Sequence, residues 1–318
     1  MARAMKIGYH IPEIERQVGW KDILELVTTA EDVGFDSVWV PDHLLYRFDN
    51  EPPIAPWECW TLLSALAAAT KRVELGPLVL CTAFRNPAMI AKMAATIDEI
   101  SGGRFVLGLG AGWHKPEFDA YGVPFDHRAS RFGEAFTIIR TLLRDGAIDF
   151  DGRFYQARDC ELIPRGPRPG GPPLMVGSRG DRVLELSMPY IDAWNAWHLW
   201  WKNDPALLPT LLTEIDRAAE AAGRDPRSIK RTTAVFISRA AGSEHKLGDE
   251  ITRGISGAPE QIAEQLSRIA DAGIDEAMIV LDPNTVESIE WFARVLDVFD
   301  RLNAGDAVDS AHDQSITR

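Results

Sequence analysis

A carboxylate and an imidazole stand side by side at Asp42 and His43, just after a strand-like run in "VPDHLLYR". Histidine changes its charge near neutral pH, which suits proton transfer or a hydrogen bond to a ring heteroatom. An isolated histidine is more often structural, but this one follows a carboxylate in a loop expected to line a pocket. We therefore predict that His43 and Asp42 are catalytic. His10, at the end of the first strand-like run, supports a weaker version of the same argument.

A second candidate lies in "GSRGDR" (177–182), between a strand-like run and a short helix. Free backbone N–H groups at such a helix start favour an anion, and Arg179 or Arg182 adds positive charge. The segment therefore predicts a phosphate site. A plain strand-to-helix turn is the alternative.

The glycines of "GLGAGW" (108–113) invite comparison with a dinucleotide-binding loop. Trp113 stands where the third glycine of G-x-G-x-x-G should fall, which argues against this type of site. Two interpretations remain: a strand that ends in a tight loop, or a loop whose small residues, Gly110 and Gly112, leave room for a flat ring.

Short β-branched runs alternate with longer amphipathic segments along the chain, which predicts eight strand–helix units. Strands are predicted at 5–10, 36–40, 72–80, 104–110, 172–177, 191–195, 231–237 and 275–281. Helices are predicted at 20–33, 58–70, 87–100, 130–144, 181–187, 205–222, 258–273 and 286–302. Nearly continuous apolar strands indicate a parallel sheet buried on both faces, and eight units are typical of a closed α/β barrel, the (β/α)8 TIM barrel. An open doubly wound sheet is the alternative.

Long irregular stretches follow the predicted strands at 44–57, 111–127, 198–203 and 240–257, and so belong at the C-terminal mouth of the barrel, where barrel enzymes hold their chemistry. The stretch 145–171 instead follows a helix. Its segment "FDGRFYQARDCEL" predicts a small hairpin insertion between strands four and five, with Gly152 at the turn. We expect one barrel domain over 1–303 and a polar, disordered tail over 304–318.

The composition limits the function classes. A net charge of −13 argues against nucleic-acid binding, and the sequence shows no apolar run of membrane-spanning length and no signal-peptide core. Three widely spaced cysteines indicate reduced thiols, so we expect a cytoplasmic protein that binds a small molecule. No pattern indicates a metal or nucleophile site, and Glu117 and Asp119 are more typical of a helix start. A mouth rich in aromatics and glycines favours an organic cofactor that supplies the chemistry.

Several segments together resemble the bacterial luciferase-like monooxygenase family, in particular its branch of deazaflavin (coenzyme F420)-dependent oxidoreductases. They include "GFDSVWVPDHL", "GRFVLGLGAGW", "PPLMVGSRGDRVLELSMPYIDAWN" and "GAPEQIAEQLSRIADAGIDEAMI", and the resemblance covers nearly the whole chain in order. It implies a (β/α)8 barrel, usually a homodimer, that binds reduced FMN or F420 at the C-terminal mouth.

The resemblance also implies roles for single residues. The family's phosphate loop matches Gly177, Ser178, Arg179 and Gly180, and its "DH" pair matches Asp42 and His43, with the histidine near the reactive part of the ring. The bulge or non-prolyl cis peptide that backs the ring falls near Leu78 and Val79, close to Cys81. We also expect His10, Gly110, Gly112 and Trp113 beside the cofactor.

Two departures from the family's sequence pattern limit how far its residue roles can be assigned to this chain. Family members that oxidise sugar phosphates carry an acidic glutamate where this chain has Trp113. The usual "IGGSG" phosphate loop is "VGSRG" here, and the added arginine does not identify the cofactor.

The stretch "DAWNAWHLWW" holds four of the ten tryptophans. Trp194 matches a family strand and is expected to pack against the barrel wall. Trp197, His198, Trp200 and Trp201 follow that strand and are predicted to line the substrate pocket as a lid. A dimer or loop-packing contact is the alternative.

These observations predict an oxidoreductase that acts on a small organic substrate of apolar or aromatic character. With F420 the reaction would be direct hydride transfer, and with FMN an O2-dependent monooxygenation supported by a separate flavin reductase. A non-catalytic flavin-binding protein on the same barrel is the alternative from another class. A cofactor-free hydrolase or lyase would lack its carboxylate or metal constellation.

Overall fold

Eight parallel strands follow one another around a closed ring in the computed structural model, which describes residues 3–49 and 51–313. Seven strands are Lys6–His10, Ser37–Val40, Leu107–Gly110, Leu174–Val176, Ala193–Ala196, Lys230–Ser238 and Glu276–Asp282, and strand 3 has two segments, Glu74–Pro77 and Leu80–Cys81. Strand 1 pairs with strand 8, and strand 3 closes onto strand 4 through Leu80↔Leu109 and a bridge Leu75↔Phe105. The predicted (β/α)8 barrel is confirmed, and the open doubly wound sheet is wrong.

The helices surround this ring. Their bounds are Trp20–Val33 (α1), Cys59–Ala69 (α2), Pro87–Ser101 (α3), Lys115–Tyr121 (α4), Arg128–Asp145 (α5), Asp181–Ser187 (α6), Leu208–Ala221 (α7), Pro259–Asp271 (α8) and Val286–Asp313 (α9). Helix α9 continues beyond the predicted end at Leu302; residues 314–318 of the predicted tail lie outside the described residues, and disorder there stays a prediction. Within the described ranges, no helix is long and apolar enough to cross a membrane.

Two antiparallel hairpins interrupt the alternation. The first, formed by Ala147–Asp151 and Gln156–Glu161, is the predicted insertion, with Gly152 at its turn. The second joins Glu244–Leu247 to Glu250–Arg253 after strand 7, in a stretch predicted to be irregular. We refer to residues 244–253 as the mouth hairpin, because it belongs to the loops at the C-terminal ends of the strands.

Both faces of the strands are buried, because successive side chains point alternately toward the surrounding helices and toward the inside of the barrel. The outward face packs with the helices in a large apolar cluster that includes Val38, Leu109 and Ile279. The inward face forms a smaller cluster that includes Trp39 and Met278. Burial on both faces explains why the strand sequences are almost continuously apolar.

Strands 3 and 4 approach each other unusually closely on the way to the mouth. A Cβ added to Gly108 would lie 2.2 Å from the carbonyl oxygen of Pro77, so only glycine fits at this position. Between the pairs Leu75↔Phe105 and Leu80↔Leu109, strand 3 takes five residue steps and strand 4 takes four. Strand 3 is therefore bulged, which re-aims the side chains at the bulge.

We predict that Gly108→Ala destabilises the fold by about 1–3 kcal/mol, because the new methyl group meets a fixed backbone carbonyl. Gly170→Ala is the matched control, since a Cβ there meets no atom within 4 Å. Urea unfolding of both variants measures the difference, and equal stability of the two would show that strands 3 and 4 separate at little cost.

Candidate active site

A cavity of about 420 Å³ opens at the C-terminal ends of the barrel strands. Most predicted site residues line it: Asp42, His43, Leu78, Val79, Cys81, Gly110, Gly112, Trp113, Gly177, Ser178, Arg179, Trp197 and Trp200. The rest of its wall comes from residues that we did not predict: Glu13, Tyr46, Glu117, Asn195, Leu199, Leu247 and Glu250. Its size is within the usual range for sites that bind small molecules or cofactors.

His43 stands between two buried carboxylates. Its Nδ1 lies 3.0 Å from Oε1 of Glu117, and its Nε2 lies 4.0 Å from Oε1 of Glu13. The other Glu117 oxygen accepts the backbone N–H of Leu44 at 2.9 Å, so this side chain joins the loops after strands 2 and 4. Glu13 in turn accepts the hydroxyl of Tyr46 at 2.6 Å. The pairing orients the imidazole and leaves Nε2 without a hydrogen-bond partner among the described residues.

The electrostatic balance at His43 favours the protonated ring. Burial lowers the pKa of His43, but the hydrogen bond to Glu117 and the negative charges of Glu13, Glu117 and Asp42 outweigh burial and raise the pKa above its ordinary value. Burial, together with the charge of Glu13, raises the pKa of Tyr46 well above its usual range, so the phenol keeps its proton and donates a hydrogen bond to Glu13. The imidazolium can therefore present an Nε2–H to a group in the cavity.

Asp42 has a different environment from its neighbour. Arg85 donates to both of its carboxylate oxygens at 2.8 Å, and the backbone N–H of Cys81 adds a third hydrogen bond at 2.9 Å. A carboxylate saturated in this way cannot accept a substrate proton without losing its ion pair. The geometry therefore gives Asp42 a positioning role between strands 2 and 3, in place of the predicted catalytic role.

The floor of the cavity is built around Val79. A Cβ added to Gly110 would lie 2.8 Å from Cγ2 of Val79, and one added to Gly177 would lie 3.0 Å from the same atom. These glycines thus leave room for a valine side chain that faces the cavity, instead of leaving an empty space for a ring. The Leu78–Val79 peptide bond is cis, as the family resemblance implied.

The loop 177–180 forms one end of the cavity. The backbone N–H groups of Ser178 and Arg179 make no hydrogen bond to any described residue, whereas the N–H of Gly180 donates to Oγ of Ser178 at 3.1 Å. The Arg179 guanidinium pairs with Glu214 at 2.9 Å on the surface. Two free amides beside an arginine can bind an anion.

The residues at the mouth contain no cluster suited to a metal: across residues 3–49 and 51–313, no group of three or more histidine, cysteine, aspartate or glutamate side chains is placed to hold an ion. The groups that line the cavity are the His43 imidazole, the carboxylates, the aromatic side chains and the loop 177–180.

Comparison with known proteins identifies the family. A family model described as luciferase-like monooxygenase matches residues 4–247. The chain belongs to the luciferase-like monooxygenase family. This membership confirms the predicted family and agrees with the closed barrel and the cavity at its mouth.

Individual relatives within or near the family are oxidoreductases. An F420-dependent glucose-6-phosphate dehydrogenase of Amycolatopsis mediterranei (strain U-32) is 32% identical over 289 residues, which cover 84% of this chain and 81% of the relative. A pyrimidine monooxygenase RutA of Rhizobium rhizogenes (strain K84) is 31% identical over 292 residues, which cover 86% of this chain and 78% of the relative. These relatives confirm the predicted enzyme class, oxidoreductase.

A solved structure supports the fold. An F420-dependent secondary alcohol dehydrogenase in complex with an F420-acetone adduct superposes with a TM-score of 0.77 at 23% identity, covering 93% of this chain and 99% of that chain. At this identity the likeness shows the shared barrel and nothing about the substrate.

The tryptophan-rich stretch divides between cavity and core. Trp197 and Trp200 line the cavity as predicted. Trp194 is fully buried and its Nε1–H donates to the carbonyl of Ser178 at 2.8 Å, which agrees with the predicted packing against the wall. Trp201 was predicted to line the substrate pocket, but the 3-10 helix His198–Trp201 turns it into the core, where its Nε1–H donates to Thr233 at 2.8 Å.

Three other predicted site residues lie outside the cavity wall. His10 is buried behind Trp197, with its ring edge-to-face at 5.8 Å. His198 is buried beneath Trp197, and its Nδ1 lies 3.2 Å from Oγ1 of Thr252. Gly180 caps the exposed start of α6. Burial lowers the pKa of both His10 and His198, so these imidazoles favour the neutral form.

Sequence reasoning missed Glu13, Tyr46 and Glu117, which form the immediate environment of His43. Glu117 was interpreted as a helix-start residue, and it does lie in the first turn of α4. The signal available in the sequence was an acidic residue in a predicted mouth loop; its buried pairing with the loop after strand 2 depends on the folded barrel.

Glu117→Gln tests the origin of the raised pKa of His43. Removing the charge at Nδ1 takes away the charged hydrogen bond to Glu117, the largest effect that raises the pKa of His43, so this pKa falls and the ring loses its proton at lower pH. Asp119→Asn on the same helix, where Asp119 pairs only with Lys115 at the surface, is the control and leaves the pKa unchanged.

The measurement is an NMR titration of the His43 ring in all three proteins. Because the pKa of His43 is higher in the folded than in the unfolded state, its contribution to stability is complete below the unfolded value and disappears as pH rises through the folded value. An unchanged His43 titration in Glu117→Gln would contradict this account.

Proposed function

We propose that the protein is an F420-dependent oxidoreductase that transfers hydride to or from a small organic substrate with an apolar or aromatic body. The observation that carries the proposal is one cavity that combines an anion-binding loop, an apolar floor and a protonatable imidazole. Membership of the luciferase-like monooxygenase family and similarity to a dehydrogenase named as F420-dependent support it.

The loop 177–180 fits the phosphate of such a cofactor. The free amides of Ser178 and Arg179 supply two donors, and Arg179 supplies charge at the edge of the cavity. The pairing of Arg179 with Glu214 is exposed, so the guanidinium can exchange that partner for a phosphate at little cost. Ser178 and Arg179 would therefore hold the phosphate.

The floor fits a flat ring system. Leu78 and Val79 present apolar surface at the floor, where Gly110 and Gly177 leave room for the Val79 side chain. Trp197 and Trp200 add aromatic surface to the same cavity. An apolar, water-poor pocket of this kind strengthens the electrostatic effect of the few polar groups it contains.

The bound cofactor supplies the hydride chemistry, and His43 manages the proton. An Nε2–H of His43 can donate to a substrate carbonyl oxygen, and the neutral ring can accept the proton of an alcohol. Glu117 fixes the ring orientation through Nδ1, and Glu13 stabilises the imidazolium from the other side. Trp113, 48% exposed at the cavity edge, stands beside the His43 ring at 5.7 Å and limits access of water to it.

Reduced FMN is the second candidate, favoured by the similarity to a pyrimidine monooxygenase. The same loop and floor would hold its phosphate and ring. The reaction would then use O2 and a separate flavin reductase, so the two versions differ in their need for oxygen.

Cofactor titration is the first test of the proposal. We expect the purified protein to bind F420, and Arg179→Ala to weaken binding by about five- to tenfold through loss of one charge-assisted contact. Arg182→Ala is the matched control, because Arg182 pairs with Glu185 and does not line the cavity. Tighter binding of FMN would select the second candidate, and failure to bind either cofactor after reconstitution would refute both.

A His43→Asn variant tests the proton step. With a panel of alcohols and ketones, followed by the visible absorbance of F420, we expect kcat to fall by about 100-fold or more while the Kd for F420 changes little. In the wild type, ketone reduction should slow as pH rises through the pKa of His43, and alcohol oxidation should accelerate. A variant with wild-type kcat would remove His43 from the chemistry.

A further inference from the structure

We infer that the substrate end of the cavity selects small organic cations, namely an ammonium group carried on an apolar or aromatic body. This inference rests on the proposed function, because it concerns the part of the cavity that the cofactor would leave free. It depends on the charges that face the cavity, on the mouth hairpin and on the aromatic side chains.

The negative charges at the His43 end exceed the positive ones. Glu13, Asp42 and Glu117 are buried in the wall there. Arg85 neutralises Asp42 with a two-pronged ion pair, and a protonated His43 balances one further carboxylate. One negative charge is thus left without a counter-charge at this end of the cavity.

Glu250, in the mouth hairpin, adds another carboxylate without a counter-charge to the cavity wall. Its cross-strand partner in the mouth hairpin is Leu247, and both residues line the cavity. Glu250 forms no salt bridge with any residue of the described chain, and the cations of the hairpin, Lys246 and Arg253, do not line the cavity. Glu250 is therefore a free carboxylate at the cavity entrance.

The position of the hairpin is fixed by packing. A Cβ added to Gly248, at the hairpin turn, would lie 3.0 Å from the Phe48 ring, so the turn rests directly on the loop after strand 2. The Phe48 ring stacks on Tyr46 at 5.8 Å, and Tyr46 lines the cavity wall. This contact holds Leu247 and Glu250 over the same side of the mouth as His43.

Aromatic faces complete an environment suited to cations. Tyr46, Trp113, Trp197 and Trp200 line the cavity together with Glu13 and Glu250. Aromatic faces attract ammonium groups, and a nearby carboxylate adds a direct charge interaction. The one arginine among the described wall residues, Arg179, lies in the loop 177–180, where the phosphate of the proposed cofactor would occupy it. Among the described residues at the substrate end, the cation of the wall is the protonated His43 ring, which Glu117 already pairs at Nδ1, so an anionic substrate would meet mainly carboxylates.

Three probes of nearly equal size separate charge from shape: benzylamine, a cation at neutral pH, benzyl alcohol, which is neutral, and benzoate, an anion. Their Kd values are measured by calorimetry on the wild-type protein, with and without saturating F420, at low and high salt. We expect benzylamine to bind about tenfold more tightly than benzoate, with benzyl alcohol between them. The preference should weaken at high salt because Glu250 is exposed to solvent.

Glu250→Gln and Glu250→Lys test the assigned residue, and Glu244→Gln, an exposed glutamate on the same hairpin outside the cavity wall, is the matched control. We expect Glu250→Gln to reduce the cation preference about threefold, Glu250→Lys to reduce it further, and Glu244→Gln to leave it unchanged. Equal or tighter binding of benzoate in the wild type, or an unchanged preference in both Glu250 variants, would overturn the inference.

The F420 titration keeps this result separate from the proposed function. Protein that binds F420 without preferring benzylamine refutes only the cation selectivity. Protein that prefers benzylamine but binds neither F420 nor FMN refutes the cofactor assignment and leaves the cation-selective cavity standing.

Discussion

The buried side chain of Glu117 imposes the constraint on which the site depends. A carboxylate with no exposed surface must be paired and hydrogen-bonded, and removing one partner of such a group typically costs about 3–5 kcal/mol. Here the partners are the His43 ring and the Leu44 amide, both in the loop after strand 2, while Glu117 lies in α4, within the segment that follows strand 4. Satisfying this one charge therefore fixes two mouth loops relative to each other and orients the imidazole.

The strands below make this arrangement rigid. Arg85 and the Cys81 amide hold Asp42, which anchors the start of the His43 loop on strand 3. Gly110 and Gly177 allow Val79 to lie between strands 4 and 5 as an apolar floor. The protonatable group and the floor are thus positioned by neighbouring strands of a single barrel, and in the selectivity that we infer the mouth hairpin acts on the substrate.

Much of this architecture could be predicted from the sequence because it depends on local periodicity. The strand–helix alternation, the insertion hairpin with Gly152 and the mouth position of Asp42 and His43 all follow from patterns along the chain. The roles of Glu13, Tyr46 and Glu117 depend on contacts between distant loops, which no local pattern encodes. Trp201 illustrates the same limit, because a single turn of 3-10 helix decides whether an indole faces the cavity or Thr233. The mouth hairpin was missed because "EHKLGDEITR" is polar and lacks a clear apolar alternation.

In the proposed function, the Leu78–Val79 surface of this cavity would hold the ring of a deazaflavin, and Ser178 and Arg179 would hold its phosphate, with His43 in the same cavity. A crystal structure of the protein soaked or crystallised with F420 tests it most directly. We expect density for the ring on the Leu78–Val79 surface and for the phosphate at the amides of Ser178 and Arg179. A ring bound elsewhere on the barrel, or a phosphate held away from this loop, would contradict it.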